Sequence, residues 1–378
     1  MPKRYQSGTR ALYQSGNWYC QLQILCEYVI LIVGSVQVPA PTEMELFSDK
    51  LIKHKKAWII TGAVYAAALL GLIITFTFID KPFSETVYSG GTAFNKIFDV
   101  LGNMSVFLIF TVLFGFLSVY FFYRESATEK TIENTDEFIK NSKPVIPFPG
   151  EDGCEPDAAG TGPRAGPNKN HCRKRFLLAI CLTASCVSAA LAMMKAFSDM
   201  PGKMFISAAA ALALPAACFF IAWKVHEKGP ETLKRLCYAL IISGIMIALS
   251  AIVVYSVKFF WGRARYFAVI GDGLPYSPWY SPQGKPTMDD KWASFPSGHT
   301  MSACAFAALP LCAIALNANK WVKLLCGAGC FALILCTMLS RVFMGMHYMT
   351  DTLFSLLICS AALVAAIVIT DKIYGSSQ

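Results

Sequence analysis

The sequence predicts an all-α fold, a polytopic transmembrane helical bundle of about eight spans, and three observations carry that prediction. The 378 residues are 55% hydrophobic and only 15% charged, where a soluble domain holds about 25% charged residues. Apolar runs of roughly 20 residues, the length that crosses the hydrocarbon core as a helix, recur along the chain. The net charge of +9 comes from basic residues scattered between those runs rather than gathered into one stripe, which fits membrane topology and excludes a nucleic-acid partner.

In chain order, the expected spans are 58–78, 104–123, 176–197, 204–223, 236–257, 301–316, 321–339 and 353–369. Each is helical because only helices and closed barrels satisfy every backbone group inside lipid. Residues 1–56 form an N-terminal cytoplasmic segment. Its apolar stretch Ile24–Val38 is short for a span, contains Glu27, and would place Lys50, Lys53, Lys55 and Lys56 outside. Residues 1–43 also read as an upstream extension if translation starts at Met44. Spans one and two lie in 57–123. The segment 124–175, rich in proline and glycine from Pro144 onward and ending Arg173-Lys174-Arg175, is expected to be a flexible cytoplasmic loop. Residues 176–372 hold the remaining spans. Tracing from a cytoplasmic N-terminus leaves 23 basic residues inside and 10 outside, so both termini are expected in the cytoplasm. Segments 258–300 and 340–352 then share the outer face, and compactness and loop style suggest a plasma membrane. Most of the 14 cysteines sit within apolar runs and read as small apolar residues rather than a disulfide framework or a zinc site.

Charged residues beside spans are costly and therefore candidates for function. The first cluster runs from Lys258 through Phe-Phe-Trp-Gly-Arg-Ala to Arg265 at the outer end of the fifth span, and a continuing helix would put both cations on one face. The second is Phe295-Pro-Ser-Gly-His299, just before the sixth span. Ser297 is a natural N-cap, Gly298 permits close backbone approach, and the helix N-terminus favours an anion. The third, Ser340-Arg341 through His347 to Asp351, bridges spans seven and eight. His347 and Asp351 are four residues apart, so the carboxylate can orient the ring, while Arg341 reaches the same place only if the chain turns near Gly345. Alone, the three read equally as interfacial anchors, a capped helix start and a satisfied His–Asp pair. Together they place two histidines, three cations and a carboxylate on one face, matching the charge of a phosphate monoester or diphosphate terminus. Asp289 and Asp290 are adjacent in a loop and expected to be solvated. No carboxylate-rich magnesium site is evident, so the expected chemistry needs neither metal nor other cofactor.

These clusters resemble the signature of the PAP2, or type 2 phosphatidic acid phosphatase, superfamily: K-x6-R-P, P-S-G-H and S-R-x5-H-x3-D. The second and third patterns are complete here, and the first departs only in Tyr266 where the family usually has proline. The resemblance covers roughly 258–351. It implies a six-helix core, with two helices additional here or 176–223 divided once too often. It also implies a membrane phosphatase acting on a lipid phosphate or isoprenyl diphosphate. By that resemblance His347 is the nucleophile forming a phosphohistidine, His299 the acid and Asp351 the orienter of His347, while Lys258, Arg265, Ser297, Gly298 and Arg341 hold the phosphate. Vanadium haloperoxidases share the pocket pattern but are soluble. A lipid phosphotransferase would use the same site, and a transporter or non-catalytic scaffold would not need both histidines. The aromatic loop Tyr276–Pro282 reads either as a headgroup grip or as an interfacial belt.

Overall fold

The structure, a computed structural model, describes residues 55–141, 169–196, 203–284 and 289–375. The ambiguous N-terminal stretch Ile24–Val38 and Met44 lie outside these. Ten α-helices and no strand occur among the described residues. They are α1 (Lys55–Val87), α2 (Ala93–Asn141), α3 (Lys169–Ala196), α4 (Lys203–Lys228), α5 (Pro230–Trp261), α6 (Tyr266–Gly271), α7 (Gly298–Ala303), α8 (Ala308–Ala315), α9 (Lys320–Phe343) and α10 (Met349–Gly375). A 3₁₀ turn over Cys304–Ala307 joins α7 to α8 in one span. Among the described residues, every expected span lies on helical structure, the sixth of them on α7, the 3₁₀ turn and α8 together.

Six segments among the described residues are long and apolar enough to cross a membrane: Ile60–Val87, Ala93–Tyr123, Pro230–Gly271, Gly298–Ala315, Lys320–Phe343 and Met349–Ile373. The protein is a membrane-spanning helical bundle. Helices α3 and α4 are the additional pair, two separate helices between the second and third of these six, with a shorter apolar stretch, Leu177–Leu191, in α3.

The loop expected over 124–175 begins later than composition suggests. Helix α2 continues to Asn141, and α3 starts at Lys169. Between Arg124 and Lys143 the chain is polar but has no proline or glycine, so nothing there breaks a helix already under way.

Helices α2 and α5 are the central pair. Phe110, Phe114 and Leu117 of α2 pack with Leu240, Ile241 and Ile242 of α5 and with Met301, Cys304 and Leu311 of the α7–α8 span, in a core that also takes Cys359 and Ala366 of α10. Helices α1 and α9 lie at the edge, joined to α10 through Leu69, Ile73, Met338, Val342, Met349 and Leu353. Their outward residues, among them Ile74, Phe78, Leu325 and Phe331, are exposed. On apolar helices that exposed surface is the one lipid covers.

Two glycines terminate the helices that carry the site. Gly262 ends α5 with φ 67°, and Gly345 has φ 67° in the turn between α9 and α10. Both φ values are left-handed, where a side chain is strained. The turn near Gly345 is the one that the spacing of Arg341 and His347 requires. At Gly262, by contrast, α5 stops, so Lys258 and Arg265 do not share one continuous helix as the sequence reading supposed.

Candidate active site

Lys258 sits in the last turn of α5, buried, with Nζ donating to the Ala293 carbonyl at 2.7 Å. After Gly262 the chain reverses and Arg265 becomes the N-cap residue of α6, with φ −73° and ψ 150°. That is the extended conformation a residue before proline adopts, and Tyr266 occupies the first helical position, where proline is favoured. The departure from the family pattern therefore leaves the local geometry intact. Arg265 is buried, and its Nη2 donates to Asp290 at 2.6 Å. Asp290 is thus paired rather than simply solvated as expected, while Asp289 accepts from the Lys291 backbone N–H.

His347 is completely buried. Its Nδ1 lies 2.6 Å from the Ser294 carbonyl oxygen. A carbonyl can only accept, so Nδ1 carries the proton and Nε2 keeps its lone pair. Nε2 has no hydrogen-bond partner among the described residues. Burial pushes the imidazole well below its ordinary value of 6.5, with Asp351 opposing the shift and Lys258 and Arg265 adding to it. This is a neutral nitrogen with an available electron pair beside cations.

The expected orienter stands close to the ring but not in direct hydrogen bond with it. Asp351 Oδ2 is 3.8 Å from His347 Nδ1, beyond hydrogen-bonding distance. Its oxygens instead accept from Arg263 Nη1 at 2.5 Å, Ser294 Oγ at 2.5 Å and the Tyr348 N–H at 2.8 Å. Asp351 fixes Ser294, and the Ser294 carbonyl fixes the ring. Spacing along one helix face could not show this, because Ser294 comes from a loop 57 residues away.

The backbone N–H of Ser297 donates to the Asp351 carbonyl at 3.0 Å. Its Oγ caps α7, accepting from the Thr300 N–H at 3.3 Å. The cap is as predicted, and it draws the P-S-G-H segment against the start of α10. A Cβ at Gly298 would meet Tyr255 Oη only at 3.5 Å, an ordinary contact, so the absence of a side chain there is not a packing requirement. His299 is partly exposed, and its ring centroid is 6.2 Å from that of His347. Arg341, buried in the last turn of α9, pairs through Nη1 with Asp99, whose Oδ1 also lies 3.0 Å from His299 Nε2. All three clusters therefore converge at one end of the bundle.

Sequence reasoning missed Arg263, Asp80, Asp99 and Ser294. Arg263 is fully buried and spans the site, donating to Asp80 at 3.0 Å, Thr350 at 3.0 Å, Asp351 at 2.5 Å and the Ser277 carbonyl at 2.9 Å, with its guanidinium 4.0 Å above the Tyr348 ring. Asp80 and Asp99 lie near the ends of apolar helices, where a carboxylate is costly; that cost is the signal that could have found them. The aromatic loop is held inward. Trp279 donates to Thr77 at 2.9 Å and packs on Phe354 with centroids 4.4 Å apart, whereas Tyr280 is exposed.

The order of the three patterns, the pocket they close and the helices that carry them now meet the comparison with known families. Residues 239–374 match the PAP2 superfamily. The matched segment runs from within α5 through α10, so this PAP2 region holds Lys258, Arg265, Ser297, His299, Arg341, His347 and Asp351 together. Asp80 and Asp99 lie outside it. No curated protein and no solved structure matches the chain significantly. That match makes residues 239–374 similar to a phosphatase-like superfamily. Among the described residues, no group of three or more His, Cys, Asp or Glu side chains is placed to hold a metal ion.

Proposed function

We propose that the protein is a membrane phosphatase that hydrolyses a lipid phosphate or an isoprenyl diphosphate at the extracytoplasmic face through a phosphohistidine intermediate, without a metal. The observation that carries this reading is His347 Nε2, buried and unpartnered, with its ring held by the Ser294 carbonyl in a pocket that also holds Lys258, Arg265 and Arg341. A site at the ends of membrane-spanning helices supports a lipid substrate.

Nε2 attacks phosphorus as the bond to the leaving oxygen breaks, and His299, as imidazolium, gives that oxygen its proton. Lys258, Arg265, Arg341, Ser297 and Gly298 surround the phosphoryl oxygens, where the charge of the transition state is spread. Water then attacks phosphorus, neutral His299 takes the water proton, and the P–N bond breaks to restore His347. Asp351 acts through Ser294 to hold the nucleophile.

Phosphate release by the purified chain in detergent, from a panel of lipid phosphates and diphosphates with chelator present, tests the reading against His347→Ala and His347→Gln. Release that resists chelator and falls below a few per cent in both variants, with unchanged elution and melting, is the expected result. Variants that retain turnover would remove the nucleophile. Release only with an added alcohol acceptor would make the protein a phosphotransferase, and none from any substrate would remove the phosphatase reading.

A further inference from the structure

Two of the three cations proposed to hold phosphate already have a carboxylate partner, and the two carboxylates are placed differently. Asp290, in the segment before the P-S-G-H motif, is paired with Arg265. Asp99 sits in the first turns of α2, and its Oδ1 accepts from Asn103 Nδ2 at 3.0 Å and from Arg341 Nη1, and lies 3.0 Å from His299 Nε2, so groups on three elements meet at one oxygen. Asn103, one turn further along α2, steadies the carboxylate from its own helix. The approach of α2 is close: a Cβ at Gly102 would lie 2.9 Å from Thr337 of α9 and 3.6 Å from the His299 backbone oxygen. This glycine lets the helix bring Asp99 up to both partners. An anion in a phosphate pocket would weaken substrate binding if it had no other task, so its contact with the proposed acid needs an account.

We propose that Asp99 is the positioning residue of the acid: it holds the His299 ring in place and keeps it in the imidazolium form that protonates the leaving oxygen. This rests on the phosphatase reading of the same site, and it adds to the PAP2 region a carboxylate from a helix that the family match does not include. The two histidines then have separate supports. The nucleophile is held by a neutral carbonyl and stays unprotonated, while the acid is held by a carboxylate and stays charged. A pair of titratable groups pushed apart in this way is what acid and nucleophile need at one pH. An imidazolium has two N–H groups; Asp99 takes one, and the other gives its proton to the leaving oxygen as the P–O bond breaks. In the second half-reaction the neutral ring takes a proton from water and the pair with Asp99 is restored. Of the surrounding charges, Arg341 on α9 touches Asp99 directly and is itself acted on by Arg265 and Asp290, while His347, whose ring faces His299, is acted on by Lys258 on α5, Arg265 and Asp351. The cations among them disfavour an imidazolium, and Asp99, in direct contact with the ring, offsets them.

The test compares wild type, Asp99→Asn, Asp99→Glu and His299→Gln, as full-length protein in detergent, on an alkyl phosphate lipid and on p-nitrophenyl phosphate. The aryl leaving group needs little help from an acid. Asp99→Asn is expected to lower kcat on the alkyl phosphate by about a hundredfold, and on the aryl phosphate by only about threefold or less. Release of Arg341 from Asp99 should instead register in KM, alike for both substrates. The basic limb of the kcat profile on the alkyl phosphate should move about one pH unit lower in Asp99→Asn, and Asp99→Glu should recover part of both effects. Equal loss on the two substrates with an unmoved basic limb would reduce Asp99 to a structural partner of Arg341 and overturn the proposal. A histidine NMR titration, with the His299 signal assigned by its absence in His299→Gln, decides independently of activity. Wild-type His299 should hold its proton to higher pH than in Asp99→Asn, and coincident midpoints would overturn the pairing. If wild type releases no phosphate from either substrate, the phosphatase reading fails while the titration still decides whether Asp99 charges the ring.

Discussion

Arg263→Met removes a charged side chain that ties α1, the aromatic loop and α10 together. Arg263 is 0% exposed at its side chain, and its carboxylate partners Asp80 and Asp351 are 1% and 0% exposed at theirs, at 3.0 and 2.5 Å. Methionine fills similar volume, so the main effect is two buried carboxylates that lose a cation. Breaking a buried ion pair by removing one partner costs about 3–5 kcal/mol. Solvent does not screen this pair, so no discount applies. At about 2 °C per kcal/mol, the low end of the usual range because the chain is long, the melting temperature should fall by roughly 6–10 °C. Thiol-reactive dye melting in detergent reads this directly, since Cys181, Cys237, Cys304, Cys330 and Cys359 are buried. Asp80→Asn combined with Arg263→Met should cost less than the sum of the two, because the neutral amide no longer needs the cation. Activity should fall with Arg263→Met as well, as Asp351 loses the contact that aims it at Ser294. A melting shift under about 2 °C, or strict additivity with Asp80→Asn, would refute the claim that this network ties the site to α1.

Gly345→Ala should destabilise by about 1–3 kcal/mol, because φ is 67° and the new Cβ would lie 2.9 Å from the Tyr88 ring and 3.2 Å from the Phe267 backbone nitrogen; melting checks it, and a neutral effect would mean the turn readily relaxes. The pH profile follows from His347. Its midpoint is pushed well below 6.5, so the nucleophile stays unprotonated from neutral pH down through 6.5, and kcat on a bound substrate should not fall across that interval. For stability, a lowered native value means that the unfolded chain takes the proton first. The contribution of His347 is therefore complete above about 6.5 and lost progressively as pH falls below it. A kcat that halves at 6.5 or above and follows His347 by NMR would contradict the burial argument.

The helices were legible because lipid permits few alternatives. Apolar runs near twenty residues fix the spans, and α3 and α4 were visible as separate runs. The chemical residues were legible because three charged patterns near span ends are improbable without function. What the sequence hid was pairing across distance. Asp351 and His347 are correctly spaced for a helix-face pair, yet Arg263, Ser294 and Tyr348 claim the carboxylate first. Lys258 and Arg265 have the right interval for one helix face, but Gly262 ends α5 between them. The run from Arg124 read as loop from its polarity, although it contains no helix breaker before Pro144. Polarity marks where a helix leaves the core, and only a breaker marks where it stops.

The two carboxylates outside the family match explain why the site needs more than its PAP2 region. Within that region, Lys258, Arg263, Arg265 and Arg341 are all buried at one end of the bundle, and four buried guanidinium or ammonium groups cannot be held together by Asp351 and Asp290 alone without large repulsion. Asp80 arrives on α1 and takes Arg263; Asp99 arrives on α2 and takes Arg341 and His299. The first two helices therefore complete the site electrostatically. A fragment beginning at α5 would keep every residue of the three patterns and still lack the charges that let them sit side by side, so it should be both unstable and inactive even if it inserts into a bilayer.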